Sequence, residues 1–168
     1  FQKFTQNFSK SAIVGPRSIG IECEIPVVRH SGAAVSMELM QDFFSFLTSQ
    51  GFRLQYDDFS GLILSAVRTN PVSDKAFSYS KDTITSDTGY STLEIALAPQ
   101  KNLFEVKDQL GRILSLILPW FEEKGCLLLG YGIQPLSQPS KNTASTDLLL
   151  DYGLWSNRPI ARSCWTRH

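Results

Sequence analysis

Residues 17–29, Arg-Ser-Ile-Gly-Ile-Glu-Cys-Glu-Ile-Pro-Val-Val-Arg, alternate apolar and polar side chains. Ile19, Ile21, Cys23 and Ile25 fall on one side; Ser18, Gly20, Glu22 and Glu24 fall on the other. A period of two is the signature of a strand with one buried face. That spacing also puts both glutamates on the same face, with Cα atoms about 6.6 Å apart at the rise of a strand. Carboxylates this close repel unless a cation lies between or beside them. A strand that is apolar behind and doubly acidic in front is suited to hold a divalent ion. A solvated sheet edge carries the same Glu-x-Glu pattern, so the pattern alone does not choose between the two.

A second segment repeats the arrangement. In Thr-Leu-Glu-Ile-Ala-Leu-Ala at 92–98, Leu93, Ile95 and Leu97 point one way, and Thr92, Glu94, Ala96 and Ala98 the other. The small neighbours of Glu94 are expected to leave open space above the sheet, as a substrate cavity needs. Asp87 precedes this strand beside Thr88-Gly89, where a turn would swing its carboxylate back towards the site. Glu22, Glu24, Asp87 and Glu94 together carry enough oxygen for more than one magnesium, with waters and phosphates completing each octahedron.

Other ligand types are scarce. The three cysteines, Cys23, Cys126 and Cys164, are odd in number, widely spaced and without a Cys-x-x-Cys pair; the two histidines are His30 and His168. That fits a reducing, cytoplasmic setting better than a disulfide scaffold. It also leaves zinc short of soft ligands, so a metal site here is built from carboxylates and takes a hard cation. With 16 basic and 16 acidic residues the charge cancels, and no basic patch with interleaved aromatics points to nucleic acid. An apolar share of 42% and a charged share of 19% place the chain among globular proteins. A length of 168 residues suits one domain. No apolar run approaches the roughly 20 residues of a membrane-spanning helix. No basic-then-apolar leader opens the chain, and its start at Phe1 rather than Met is read as a trimmed beginning.

The remaining elements follow from period and punctuation. Residues 1–16 read as an irregular lead-in. Ser36 caps a helix running to about Gln50, with Leu39, Met40, Phe43, Phe44 and Leu47 as its apolar stripe and Gly51 as its stop. Strands follow at 52–57 and 60–69, joined by a turn at Asp57-Asp58. Residues 70–82 read as a loop, and a strand lies within 83–98. Asn102 and Glu105 make a capping-box-like start to a helix on which Leu103, Val106, Leu110, Ile113, Leu114 and Ile117 recur at helical spacing. Pro119 is expected to kink or end it. Gly125 closes the segment, and 126–135 reads as a buried strand. The order β-α-β-β-β-α-β predicts an α+β fold, a mainly antiparallel sheet with helices on one face. The domain is placed at 1–138, with a linker and a tail of unclear structure at 139–168.

Three stretches resemble the glutamate–cysteine ligase (γ-glutamylcysteine synthetase) family. Ser-Ile-Gly-Ile-Glu-Cys-Glu at 18–24 resembles its Gly-Ile-Glu-x-Glu strand. Ile-Thr-Ser-Asp-Thr-Gly-Tyr-Ser-Thr-Leu-Glu-Ile-Ala-Leu-Ala-Pro at 84–99 resembles its second acidic motif, an acid followed seven residues later by a Leu-Glu or Phe-Glu pair and then a Pro. Cys-Leu-Leu-Leu-Gly-Tyr-Gly-Ile-Gln-Pro at 126–135 resembles its Leu-Gly-x-Gly-x-x-Pro strand. Order and spacing agree over about residues 18–138. The resemblance implies the antiparallel funnel fold shared with glutamine synthetase, here its N-terminal part. It implies ATP- and magnesium-dependent joining of the glutamate γ-carboxylate to the cysteine amine through an acyl phosphate, the first step of glutathione synthesis. It puts Glu22, Glu24, Asp87 and Glu94 on metal-binding positions. It also implies that a second chain or a further segment completes the site.

The sequence departs from the family in two places. Gly89–Ser91 reads Gly-Tyr-Ser where the family carries a Gly-Gly-Gln-like stretch, and 139–168 does not resemble the family's continuation. Arg158, Arg162 and Arg167 suit either phosphate binding or a solvated tail. Two further functions stay open: a truncated non-catalytic homologue or binding module, and a carboxylate–amine ligase with another amine.

Overall fold

The computed structural model describes residues 18–58, 60–69, 81–87 and 89–137. The readings placed on 1–16, on most of the 70–82 loop and on 139–168, including Arg158, Arg162 and Arg167, lie outside the described residues. The chain runs β1 (Glu22–Arg29), α1 (Met37–Ser49), β2 (Arg53–Tyr56), β3 (Ile63–Thr69), β4 (Lys81–Ser86), β5 (Thr92–Ala96), α2 (Leu103–Glu123) and β6 (Cys126–Leu128). The strands form one sheet in the order β2-β3-β4-β5-β1-β6, and every neighbouring pair is antiparallel. The class is α+β, as the alternation of elements suggests.

Each helix begins where its cap chemistry places it. The Ser36 hydroxyl accepts the Leu39 N–H at 3.4 Å. The Asn102 side chain accepts the Glu105 N–H at 3.0 Å, while Glu105 reaches back to the Lys101 N–H at 3.2 Å. Just past the end of α1, Gly51 takes a φ of +82°, which costs a glycine little. Its buried stripe is Met40, Phe43, Phe44 and Leu47; that of α2 is Val106, Gln109, Ile113, Ile117 and Phe121. The apolar members of both stripes join Ala66, Ile84, Leu93 and Ile95 from one face of the sheet in a single core. Phe43 sits at its centre, with its ring centroid 4.5 Å from Phe121 and 5.3 Å from Trp120.

Several expectations are corrected. Pro119 does not end the helix, which continues to Glu123. Pro119 and Ser115, the residue four earlier whose carbonyl loses its N–H partner, are both exposed, so water can take over that carbonyl. The segment 83–98 is not one strand but two, β4 and β5, and β4 starts at Lys81 inside the expected loop. The strand expected at 126–135 is cut to three residues. The Leu129 N–H donates to the Pro26 carbonyl at 2.9 Å, but Pro26 has no N–H to return, so the β1–β6 ladder stops there. Ala98 does not share the open face of Glu94. It is buried, and its N–H donates to the Asp82 carboxylate at 3.1 Å on the core side.

Asp82 is fully buried and also accepts a hydrogen bond from the Gln109 side chain, with the Arg68 guanidinium 3.9 Å away. Arg68 lies over the Phe52 ring, 4.5 Å from its centroid. This network ties β4 to α2 and to the end of β5. Asp82→Asn is expected to cost roughly 1–3 kcal/mol, because both carboxylate oxygens accept from donors and the amide NH2 would face one of those donors unpaired in the core. Urea denaturation would measure it as a lower midpoint at unchanged slope.

Candidate functional site

The helices cover one face of the sheet, and the four acids lie on the other. In the β1–β5 ladder Glu24 stands directly across from Glu94, and Glu22 across from Ala96. Residues directly opposite in an antiparallel pair share a face, with Cα atoms about 4.5–5.5 Å apart. The register thus brings two acids side by side that are far apart in sequence. On the other flank of Glu94 stands Thr85 of β4, whose hydroxyl donates to the Leu64 carbonyl at 2.9 Å. Ser86 pairs with Leu93, which puts the next residue, Asp87, beside Thr92; the Asp87 N–H donates to the Thr92 carbonyl at 3.0 Å. Alternation gives Asp87 the face of Glu94.

Glu22 and Glu24 are exposed, whereas Asp87 and Glu94 are half-buried. Partial burial pushes the Glu94 carboxyl above the ordinary carboxylate range. The negative charges of Asp87, Glu22 and Glu24 push it in the same direction. The field of the other three acids therefore reaches Glu94. Among the described residues none of them forms an ion pair.

The donor set is all oxygen. Cys23 lies opposite Ile95 and packs towards the core, where burial raises its thiol and disfavours the thiolate. In chemistry the face fits a hard cation such as magnesium rather than zinc. In geometry, no group of three or more His, Cys, Asp or Glu side chains is assembled to hold a metal ion among the described residues. The acids share a face and a field, not a closed coordination sphere.

The turn between β4 and β5 is fixed from both sides. Tyr90 packs against the core, and burial, then the charge of Glu38, raises its hydroxyl pKa. Ser91 is buried; its carbonyl accepts the Val27 N–H at 2.6 Å and the Gln134 Nε2 at 2.7 Å. Gln134 and Ser91 were not among the candidate residues. The sequence marks Gln134 only by its place in the 126–135 stretch and Ser91 only by its place in Gly89–Ser91; the contact between them depends on register.

Among the described residues no helix is long and apolar enough to cross a membrane. Comparison with protein-family models, with curated proteins and with solved structures gave no match.

Proposed function

We propose that this chain carries the cation-binding face of an ATP- and magnesium-dependent ligase that joins the γ-carboxylate of glutamate to the amine of cysteine. The observation that supports the reading most is the β1–β5 register, which sets Glu24 against Glu94 on the sheet face free of helices. In this reading Glu22, Glu24, Asp87 and Glu94 hold the metal. The six antiparallel strands form part of a glutamine synthetase-like catalytic sheet. Bound magnesium would neutralise the meeting of two anions, the glutamate carboxylate and the ATP γ-phosphate. The chain's own contribution is positional: two adjacent strands present carboxylates from a rigid backbone, with the apolar side anchored in the core. The compartment proposed is the cytoplasm.

ADP release from ATP, followed by a coupled enzyme assay, tests the reading. ADP should form faster with magnesium, glutamate and cysteine together than with either amino acid withheld. Turnover that ignores cysteine but responds to another amine would move the proposal to a different carboxylate–amine ligase. Magnesium binding without turnover would leave a binding module.

A further inference from the structure

We infer that the outer edge of β1 at Glu22–Glu24 is a docking slot for an extended peptide carrying two basic residues with an apolar residue between them; this goes beyond the ligase reading and needs no bound cation. In an antiparallel ladder every second residue aims its N–H and C=O at the same neighbouring strand. The Leu97 N–H donates to the Ile21 carbonyl at 2.9 Å, and the Val27 N–H donates to the Ser91 carbonyl at 2.6 Å. Ile21, Cys23, Ile25 and Val27 therefore face the β5 side, and Glu22, Glu24, Pro26 and Val28 face the other way. On that other side β6 pairs only over Val27–Arg29, with one more bond from the Leu129 N–H to the Pro26 carbonyl. The following segment turns across β1, since the Gln134 side chain donates to the Ser91 carbonyl, on the β5 side, at 2.7 Å. Among the described residues nothing pairs with the backbone N–H and C=O groups of Glu22 and Glu24.

A free strand edge is a ready template for another strand, and the side chains on either side of it set which strand fits. Towards the helices, Cys23 and Ile25 are only half-buried, whereas Ile95 and Leu93 across from them are fully buried. The apolar flank is uncovered where a neighbouring strand is missing. On the opposite face Glu22 and Glu24 are exposed and form no ion pair among the described residues. A strand added here would bond to the N–H and C=O groups of both glutamates, with its side chains alternating between these two flanks. Basic residues suit the places opposite Glu22 and Glu24, and an apolar residue suits the place between them, beside Cys23. A second copy of this chain is the wrong occupant, because two-fold pairing of two β1 edges would stand glutamate against glutamate.

The test uses the full chain and a capped synthetic peptide, Arg-Val-Arg-Val-Arg, without magnesium. One control peptide has the same composition with its arginines and valines in separate blocks; another is N-methylated at its arginines, which removes the N–H groups that would face β1. Fluorescence anisotropy follows binding, and hydrogen exchange follows the backbone amides. In the free chain the Glu22 and Glu24 amides should exchange about tenfold or more faster than those of Cys23 and Ile25. The alternating peptide should slow exchange at Glu22 and Glu24 and bind about tenfold or more tighter than either control, the loss expected from about two backbone hydrogen bonds. Glu22→Gln combined with Glu24→Gln should weaken the alternating peptide about three- to tenfold, as two exposed ion pairs would. Equal binding of the three peptides would reduce the contact to charge attraction and overturn the slot. Slow exchange at Glu22 and Glu24 in the free chain would mean that the edge is already covered, and would overturn it as well. So would the absence of saturable binding up to about 1 mM peptide. The ligase reading stands or falls separately, since magnesium enters none of these outcomes.

Discussion

Phe43→Ala is expected to destabilise the fold by about 3–5 kcal/mol, the range for removing a large aromatic from a packed core. Phe43 is fully buried and touches rings from both helices, with Phe44 and Phe46 of its own helix at 5.7 and 6.5 Å and Phe121 and Trp120 of α2 closer still. The loss therefore combines the transfer term with a cavity that two helices and a sheet cannot all close. Natural domains have about 5–15 kcal/mol in total, so this one change would remove a large fraction. Thermal and urea melts followed by far-ultraviolet circular dichroism would measure it. Phe46 lies at the rim, half-buried against Trp120, and Phe46→Ala should cost clearly less. Equal losses at the two positions would contradict the placement of Phe43 at the centre.

Glu94→Gln is expected to act in opposite directions on metal binding and on metal-free stability. On the proposed reading Glu94 is a metal ligand, and its loss should weaken magnesium by about 100-fold or more, beyond the 10–100-fold typical of groups that merely support a ligand. Without metal, the same change removes a carboxylate held directly opposite Glu24 and repelled by Glu22 and Asp87. A like-charged cross-strand pair costs a few tenths to about 1 kcal/mol, and the partial exposure of the group argues for the lower part of that range. The sign follows from linkage. The Glu94 carboxyl is raised in the folded state, first by burial and then by its neighbours, so the folded chain keeps that proton at a pH where the unfolded chain has released it. Its contribution is complete below the ordinary carboxylate range and is lost as pH rises through the raised value. Metal-free melts of the wild type should lose stability across that window, and Glu94→Gln should flatten this part of the profile. Lower metal-free stability of Glu94→Gln at neutral pH would contradict the cluster.

The alternation at Glu22–Ile25 and Leu93–Ile95 made the two acidic strands legible, because burial of one face forces a period of two. Both helices were legible for the same reason, at a period of 3.6, and Ser36 and Asn102 marked their starts. The register was not. Nothing local says that Glu24 meets Glu94, since that pairing is set by long-range packing and by where the β4–β5 turn closes. β4 hid in the sequence because Lys81–Ser86 is mostly polar; Asp82 and Ile84 are buried there. Asp82 sits on the core side with Gln109 and Arg68 as partners, so a polar residue occupies a core position. The strand expected at 126–135 stops after Leu128 through a residue far away, since the missing N–H that halts it belongs to Pro26.

The most direct measurement is a calorimetric titration of magnesium into the wild type, Glu22→Gln and Glu94→Gln at neutral pH. Saturable binding by the wild type, sharply weakened in both variants while their folds stay intact, is the result expected if adjacent strands gather these oxygens around a hard ion. Absence of binding in the wild type, or identical affinity in all three proteins, would mean that the acidic face is a solvated surface and not a metal site.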